Sequence, residues 1–306
     1  MKQKILVVGG VTAAGKTAAA LALARRQGGE LIGADSVQVY RGFDIGSAKP
    51  TEAELGGVRH HLIDVIDPDE EIDAARYAAL ADAAIADVAA RGKLPIVVGG
   101  TGLWIRALLR GLVALPEVDP ALRARLDEEA EHAGAPALHA RLAELDPAAA
   151  ARIHPNDRLR VVRALEVFEQ TGTPLGELQA AHALGAPRYD AEILLLDRPR
   201  EELHAAIRAR AHAMLEAGWI DEVRGLLERW GPDVRPMGAV GYRQLAEHLL
   251  EGVPLEETER SIYKATRIYT RRQRTWFRGE FRGEFRGDHR GVPWTTAAEV
   301  TSGEGA

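Results

Sequence analysis

An α/β fold, with a parallel sheet flanked by helices and an all-helical insertion, is what this sequence predicts, and three observations carry it. Short apolar runs rich in β-branched residues and leucine stand at residues 5–8, 30–34, 95–98 and 192–197, separated by helix-length segments. Such alternation builds a parallel sheet buried on both faces. Two of the runs lead into glycine-rich turns, at residues 10–17 and 99–102. From residue 118 to 189 there are only helix signals and turns. The expected organisation is therefore a core of residues 1–117 and 190–278 ending in basic helices, a helical insertion at 118–189, and a tail at 279–306.

The first strand, Ile5 to Val8, runs into Gly10-Val11-Thr12-Ala13-Ala14-Gly15-Lys16-Thr17, and residues 18–26 then read as a helix. Strand, glycine-rich turn and helix are the setting in which GxxxxGK[ST] is a phosphate site. Backbone N–H groups and the helix start face the anion, Lys16 reaches the distal phosphates, and Thr17 offers a hydroxyl to Mg²⁺. The sheet is thus expected to resemble that of P-loop NTPases.

Composition narrows the classes. The chain has 306 residues, 46% of them apolar and 27% charged, and no cysteine, which excludes disulfides, thiol nucleophiles and cysteine-ligated zinc. No run approaches the roughly twenty apolar residues of a membrane span. A cytoplasmic monomer is expected. The net charge of -6 by itself argues against a polyanionic partner. Its distribution does not, because Lys264, Arg267, Arg271, Arg272, Arg274 and Arg278 follow one another with no acidic residue between them.

The second strand ends at Asp35-Ser36, beyond the carboxyl edge where ligands bind in open α/β sheets. Residues 61–65 form a weaker strand and residues 73–91 an alanine-rich helix before Gly92. The strand at 95–98 runs into Gly99-Gly100-Thr101-Gly102, so Thr101 and the first loop share one sheet edge. Asp119-Pro120 is a helix start, followed by helices at 119–131, 135–145 and 158–170, the last with Leu159, Val162, Leu165 and Phe168 at core spacing. Arg160 and Arg163 either meet a phosphate backbone or pair with Glu166. The strand at 192–197 is the last parallel candidate, and residues 200–215, 219–227 and 256–277 read as helices. Gly238 to Tyr242 is small enough for close backbone approach to a partner. The period-four repeat FRGE-FRGE-FRGD from Phe277 reads as non-helical and exposed.

Phosphate loop and strand-end carboxylate suit two chemistries. A kinase uses Asp35 to deprotonate a hydroxyl that attacks a γ-phosphate. A transferase treats the diphosphate as leaving group and uses Asp35 to assist attack on carbon. A non-catalytic RNA-binding protein is a third reading, opposed by the intact Lys16, Thr17, Asp35 and Thr101.

The motifs GGVTAAGKT (9–17), DSVQVYRGFDIGSAKP (35–50), VVGGTGLWIRALL (97–109), HPNDRLRVVRALEVF (154–168), GAVGYRQ (238–244) and TRRQRTWFR (270–278) resemble, in order, those of the tRNA dimethylallyltransferases, the IPP transferase family. The resemblance implies transfer of the dimethylallyl group of dimethylallyl diphosphate to N6 of adenosine 37 in a tRNA anticodon stem-loop, with Mg²⁺. By resemblance Gly10, Val11, Thr12, Ala13, Ala14, Gly15, Lys16 and Thr17 hold the diphosphate, and Thr17 assists Mg²⁺. Asp35 is the base, Thr101 orients the diphosphate, and Arg210 is a second clamp beside Lys16. The tRNA contacts fall on Asp35, Ser36, Val37, Gln38, Thr101, Arg123, Leu159, Arg160, Val161, Val162, Arg163, Gly238, Ala239, Val240, Gly241, Tyr242 and Arg243, with Arg160 and Arg163 now expected on the RNA backbone. The target base is expected to be flipped into a pocket between core and insertion. Trp104 stands where the family often has tyrosine, and Val37 where a larger residue is common. Lacking the zinc finger of eukaryotic relatives, the chain resembles the bacterial members.

Overall fold

In the computed structural model the structure describes residues 2–113, 115–183, 186–281 and 294–302. The chain divides into two compact units, Met1–Leu109 with Arg188–Ala306, and Arg110–Pro187.

The first unit is built on a six-stranded sheet, parallel throughout, of order β3-β2-β4-β1-β5-β6. In chain order it comprises β1 (Lys4–Gly10), α1 (Lys16–Gln27), β2 (Gly29–Gly33), α2 (Glu52–Leu55), β3 (His60–His61), α3 (Ala74–Ala90), β4 (Leu94–Val98) and α4 (Gly102–Arg110). The second unit carries α5 (Pro120–Ala133), α6 (Ala135–Leu145), α7 (Pro147–Ala150), α8 (Arg158–Thr171) and α9 (Leu175–Ala183). The first unit resumes with β5 (Asp190–Leu196), α10 (Arg200–Glu216), α11 (Trp219–Trp230), α12 (Tyr242–Glu251), α13 (Leu255–Glu280), β6 (Trp294–Thr295) and α14 (Ala297–Ser302).

Alternation along the strands separates two apolar layers. Ile5, Val7, Ile32, Val97 and Ile193 enter one buried cluster with α3, α4 and α12, whereas Leu6, Val8, Leu31, Ile96 and Val98 enter another with α1 and α10. Burial on both faces explains why these strands read as continuous apolar runs. The P-loop strand β1 lies centrally, between β4 and β5, so the turns after β1, β2 and β4 converge on one edge. The second unit has its own core of Leu126, Leu138, Leu142, Val161, Val162 and Leu165. Asp119 caps α5 by accepting from Ala121 and Leu122, with Pro120 at the first helical position, as expected.

Five expectations are corrected. The strand expected at 61–65 reduces to His60–His61, because Leu62 and Asp64 adopt φ of 62° and 54°, which breaks the extended chain. The strand at 192–197 is not the last, since β6 adds in parallel to β5 through Leu195↔Trp294 and Leu196↔Thr295. Two residues carry no periodicity from which a strand could be read. Leu159 is 74% exposed, and Val161 takes the core position instead. The first FRGE quartet is helical: α13 continues to Glu280, and Phe277 and Phe281 are buried and stacked 6.1 Å apart. A period of four is close enough to the helical 3.6 for both rings to share one face. The remainder of the repeat lies outside the described residues. Finally, Gly241 does make a close approach, but to the chain's own Trp219, because a Cβ there would lie 2.1 Å from Cη2.

Candidate functional site: a phosphate cavity joined to an apolar chamber

The P-loop takes its shape from close contacts that exclude side chains. A Cβ on Gly10, at φ +138°, would lie 2.1 Å from the Leu196 carbonyl oxygen of the neighbouring strand. Ala13 and Gly15 hold φ of 64° and 87°, and strain at a non-glycine residue such as Ala13 gathers where a loop must grip a ligand. Helix α1 then opens at Lys16 with no side-chain cap, which leaves its first N–H groups to a ligand.

Gln273 of α13 ties this loop to the turn after β4. Its Oε1 accepts from Thr12 N–H at 2.8 Å, and its Nε2 donates to Gly100 O at 3.0 Å. The two glycine-rich turns, expected on one sheet edge, are thus joined there by a residue the sequence did not single out.

At the end of β2, Asp35 Oδ1 accepts the backbone N–H groups of Val37 (2.9 Å) and Gln38 (3.3 Å). Its Oδ2 has no hydrogen-bond donor among the described residues. Thr101 Oγ1 accepts from Ser36 N–H at 3.0 Å and lies 3.3 Å from Ser36 Oγ, so it braces the turn that presents Asp35. Gln38 Nε2 donates to Ser47 O and Ala48 O. The loop at 44–46 is held from α11, where Glu222 accepts from the N–H groups of Asp44, Ile45 and Gly46 and from the Tyr242 hydroxyl at 2.7 Å.

Two cavities meet at this edge. One, of about 280 Å³, is lined by Gly15, Lys16, Thr17, Gln38, His60, Arg198 and the shared residues named next. Thr12, Ala13, Asp35, Ser47 and Arg210 also line the other, of about 290 Å³, whose further walls include Val37, Ile207, Met214, Trp219, Ala239, Val240, Ile262 and Tyr269. A polar, cationic chamber therefore opens into a largely apolar one, with Asp35 and Arg210 at the join.

Lys16 Nζ donates to Val11 O at 2.8 Å. Burial pulls its ammonium down to about 8; the Asp35 charge opposes this and Arg210 adds to it. Burial also lowers Arg210, against the attraction of Asp35. A ligand anion would restore favourable surroundings to both cations. Burial and the Asp35 charge raise the Tyr269 phenol, which stays neutral at the chamber wall.

The residues expected to touch RNA divide by environment. Ser36, Val37, Gly238, Ala239, Val240 and Tyr242 line the apolar chamber, and Gln38 the phosphate cavity. Gly241 is filled by Trp219, and Arg243 pairs with Glu247. In the helical unit Leu159 and Arg160 are exposed, whereas Val161 and Val162 are buried and present no side chain to a partner. Arg160 pairs with Asp157. Arg163 donates to Glu166 at 2.9 Å, and Arg123 stands 3.6 Å from the same carboxylate, which is wholly buried. Trp104 is buried and stacks on Tyr77 at 4.4 Å, so its exchange for the family's tyrosine is a core change.

Sequence reasoning passed over Gln273, Glu222, Trp219, Tyr269 and Arg198. Each lies far along the chain from the motif it serves. Only the GYRQ and RRQRTW blocks gave a signal, since they place Tyr242, Gln273 and their neighbours in recognisable motifs.

Fold and cavity define a P-loop α/β protein with a cationic cavity beside a strand-end carboxylate, chemistry suited to a phosphorylated ligand. Comparison with known proteins goes further. Residues 38–280 match the model of the family described as IPP transferase. A tRNA dimethylallyltransferase of Anaeromyxobacter dehalogenans is 56% identical over 277 residues, which cover 90% of each chain. The crystal structure of a full-length tRNA isopentenylpyrophosphate transferase from Bacillus halodurans superposes with a TM-score of 0.71 at 36% identity, covering 98% of this chain and 94% of that one. A eukaryotic dimethylallyltransferase acting on tRNA gives a TM-score of 0.81 at 27% identity, covering 99% of this chain and 76% of that one. The chain belongs to the IPP transferase family. Among the described residues no helix is long and apolar enough to cross a membrane.

Proposed function

We propose that this chain is a tRNA dimethylallyltransferase, which moves the dimethylallyl group of dimethylallyl diphosphate to N6 of adenosine 37 in the tRNA anticodon loop and releases diphosphate. It works in the cytoplasm as a monomer. The observation that carries the reading is the position of Asp35 and Arg210, shared by the phosphate cavity and the apolar chamber. A prenyl diphosphate needs that division: anion on one side, hydrocarbon on the other, and the breaking bond between them.

The exocyclic amine of adenine is a poor nucleophile, because its lone pair is delocalised into the ring. As N6 bonds to the allylic carbon, the C–O bond breaks with its electron pair going to the diphosphate, and the N6 proton passes to Asp35. Asp35 suits that role: the backbone N–H groups on Oδ1 fix its orientation and leave Oδ2 to the amine. Lys16, Arg210 and the N–H groups at the start of α1 meet the charge that develops on the leaving group. Thr101 acts through the Ser36 turn that aims the carboxylate.

No group of three His, Cys, Asp or Glu side chains suited to a metal exists among the described residues. Mg²⁺ does not need one, because it binds through few protein oxygens and is completed by phosphates and water. Thr17 lines the phosphate cavity with a hard oxygen donor of the required kind. Mg²⁺, when bound through Thr17, supplies charge neutralisation to the departing diphosphate.

The test is transfer of label from radiolabelled dimethylallyl diphosphate to an anticodon stem-loop containing adenosine 37. Asp35→Asn should cut the transfer rate by about 10²-fold or more, the usual share of a general base, with donor affinity retained. ATP-dependent phosphorylation of a nucleoside, without prenyl transfer, would sink the proposal in favour of a kinase.

A further inference from the structure

One cation of the phosphate cavity has no partner among the described residues. Arg198 follows β5 and lines that cavity with Lys16, Thr17 and Arg210. Its guanidinium makes no hydrogen bond or ion pair with any described residue. The adjacent carboxylate is already engaged. Asp197 receives two bonds from Arg274, of 2.6 and 2.7 Å, and accepts the backbone N–H of Arg198 itself at 2.8 Å. That bond, with Pro199 at the N-cap of α10, fixes the backbone from which the Arg198 side chain projects.

Position distinguishes Arg198 from the other two cations. Lys16 and Arg210 are close enough to Asp35 for its charge to act on both. Arg198 Nη2 stands instead 3.5 Å from where a Cβ on Gly15 would lie, beside the last glycine of the P-loop. A donor whose reacting carbon meets Asp35 places its inner phosphate near Lys16 and Arg210 and extends its outer phosphate away from that carboxylate, along the loop. Lys16 then meets the inner phosphate and not the distal ones expected from the motif.

We infer that Arg198 binds the terminal phosphate of the donor diphosphate and makes the site selective for a diphosphate over a monophosphate. The inference rests on the donor site proposed above. A planar guanidinium can take two phosphate oxygens at once, and one with no existing partner gives up no ion pair to do so. Lys16 and Arg210, near the inner phosphate, serve any phosphate ester alike. Arg198 reads only the second one.

The experiment titrates the full chain, wild type and Arg198→Gln, with dimethylallyl diphosphate, dimethylallyl monophosphate and inorganic diphosphate. Loss of a charge-assisted contact should weaken both diphosphates by about tenfold or more while the monophosphate stays within about twofold. Arg198→Lys should recover part of the diphosphate affinity. Equal weakening of mono- and diphosphate would mean a general electrostatic or structural effect and would overturn the inference, as would unchanged diphosphate binding. If the wild type binds inorganic diphosphate through Arg198 but refuses the prenyl donor, the proposed reaction falls and the phosphate role of Arg198 stands. Refusal of both overturns both.

Discussion

Replacing Gly46 by alanine adds one methyl group to the wall of the apolar chamber, and that methyl has nowhere to go. Its Cβ would stand 2.0 Å from Trp219 Nε1 and 2.3 Å from Cε2. The indole cannot retreat, being only 2% exposed and set edge-on against Tyr242 at 5.6 Å. On its far side, Gly241 leaves no more room than Gly46 does. The loop cannot retreat easily either, because Glu222 holds the N–H groups of residues 44–46. Overpacking of this kind costs about 1–3 kcal/mol, and a contact this short argues for the upper end. Gly241→Ala should cost about 1–3 kcal/mol more, because Gly241 also holds φ +95° with ψ -51°, a sparsely populated region that glycine alone enters readily. Against a total of roughly 5–15 kcal/mol, Gly46→Ala stays folded and measurable. The assay is equilibrium urea denaturation, repeated in a Trp219→Phe background, where most of the atoms that the new methyl meets are gone. There the cost of Gly46→Ala should drop below about 0.5 kcal/mol, and that of Gly241→Ala should keep its backbone part. A Gly46→Ala cost equal in the two backgrounds would refute the argument, since the strain could not then lie against the indole. Because Trp219 lines the chamber, wild-type-background Gly46→Ala should also bind the donor more weakly.

Three further outcomes can be checked together. Removing Arg163 leaves the buried Glu166 with Arg123 alone, 3.6 Å away; Arg163→Ala should destabilise the helical unit by about 3 kcal/mol, and Arg163→Met with Glu166→Leu should restore most of that. If Arg163 also meets an RNA phosphate, the double variant should lower the slope of log affinity against log salt by about one, and an unchanged slope assigns Arg163 to Glu166 alone. Leu159, exposed beside Arg160, should accept alanine within about 0.5 kcal/mol of stability yet lose tRNA affinity, and unaltered binding would remove it from the interface. His60 has no hydrogen-bond partner on either ring nitrogen, and burial chiefly, with the His61 charge, lowers it from 6.5 to about 4. The folded state thus takes up this proton later than the unfolded chain, so its contribution is complete above pH 6.5 and is lost as pH falls towards 4. The loss is at most roughly 3 kcal/mol. His60→Gln should flatten the acid limb of the stability curve, and an identical limb would refute the assignment.

Part of the site was legible in the sequence because its chemistry is local. The P-loop needs its glycines and Lys16 within eight residues, and Asp35 announces itself by following an apolar run. Where neighbours in space are far apart in the chain, the same reading failed. Leu159 fitted the core spacing of α8 as well as Val161 does, and periodicity cannot say which edge of an apolar stripe meets a second helix. Phe277 and Phe281 looked like the start of a non-helical repeat, because glycine at every fourth position outweighed a spacing that tertiary packing turned into a buried stack.

By itself, then, the sequence determined the parallel α/β core, the phosphate loop, the strand-end carboxylate and, through six ordered motifs, the family. Each of these depends on residues adjacent in the chain or on a repeating pattern of burial. Only the tertiary structure decided that Gln273 would lock two loops together, that Trp219 would close a chamber between two glycines, and that Asp35 and Arg210 would stand where that chamber meets the phosphate cavity. It also decided that Arg163 would answer a buried carboxylate, and that Arg198 would line the cavity beside the P-loop with no partner among the described residues. Those outcomes come from side chains that meet across hundreds of residues, where burial, unpaired charge and excluded volume are properties of the packed molecule and of no segment within it.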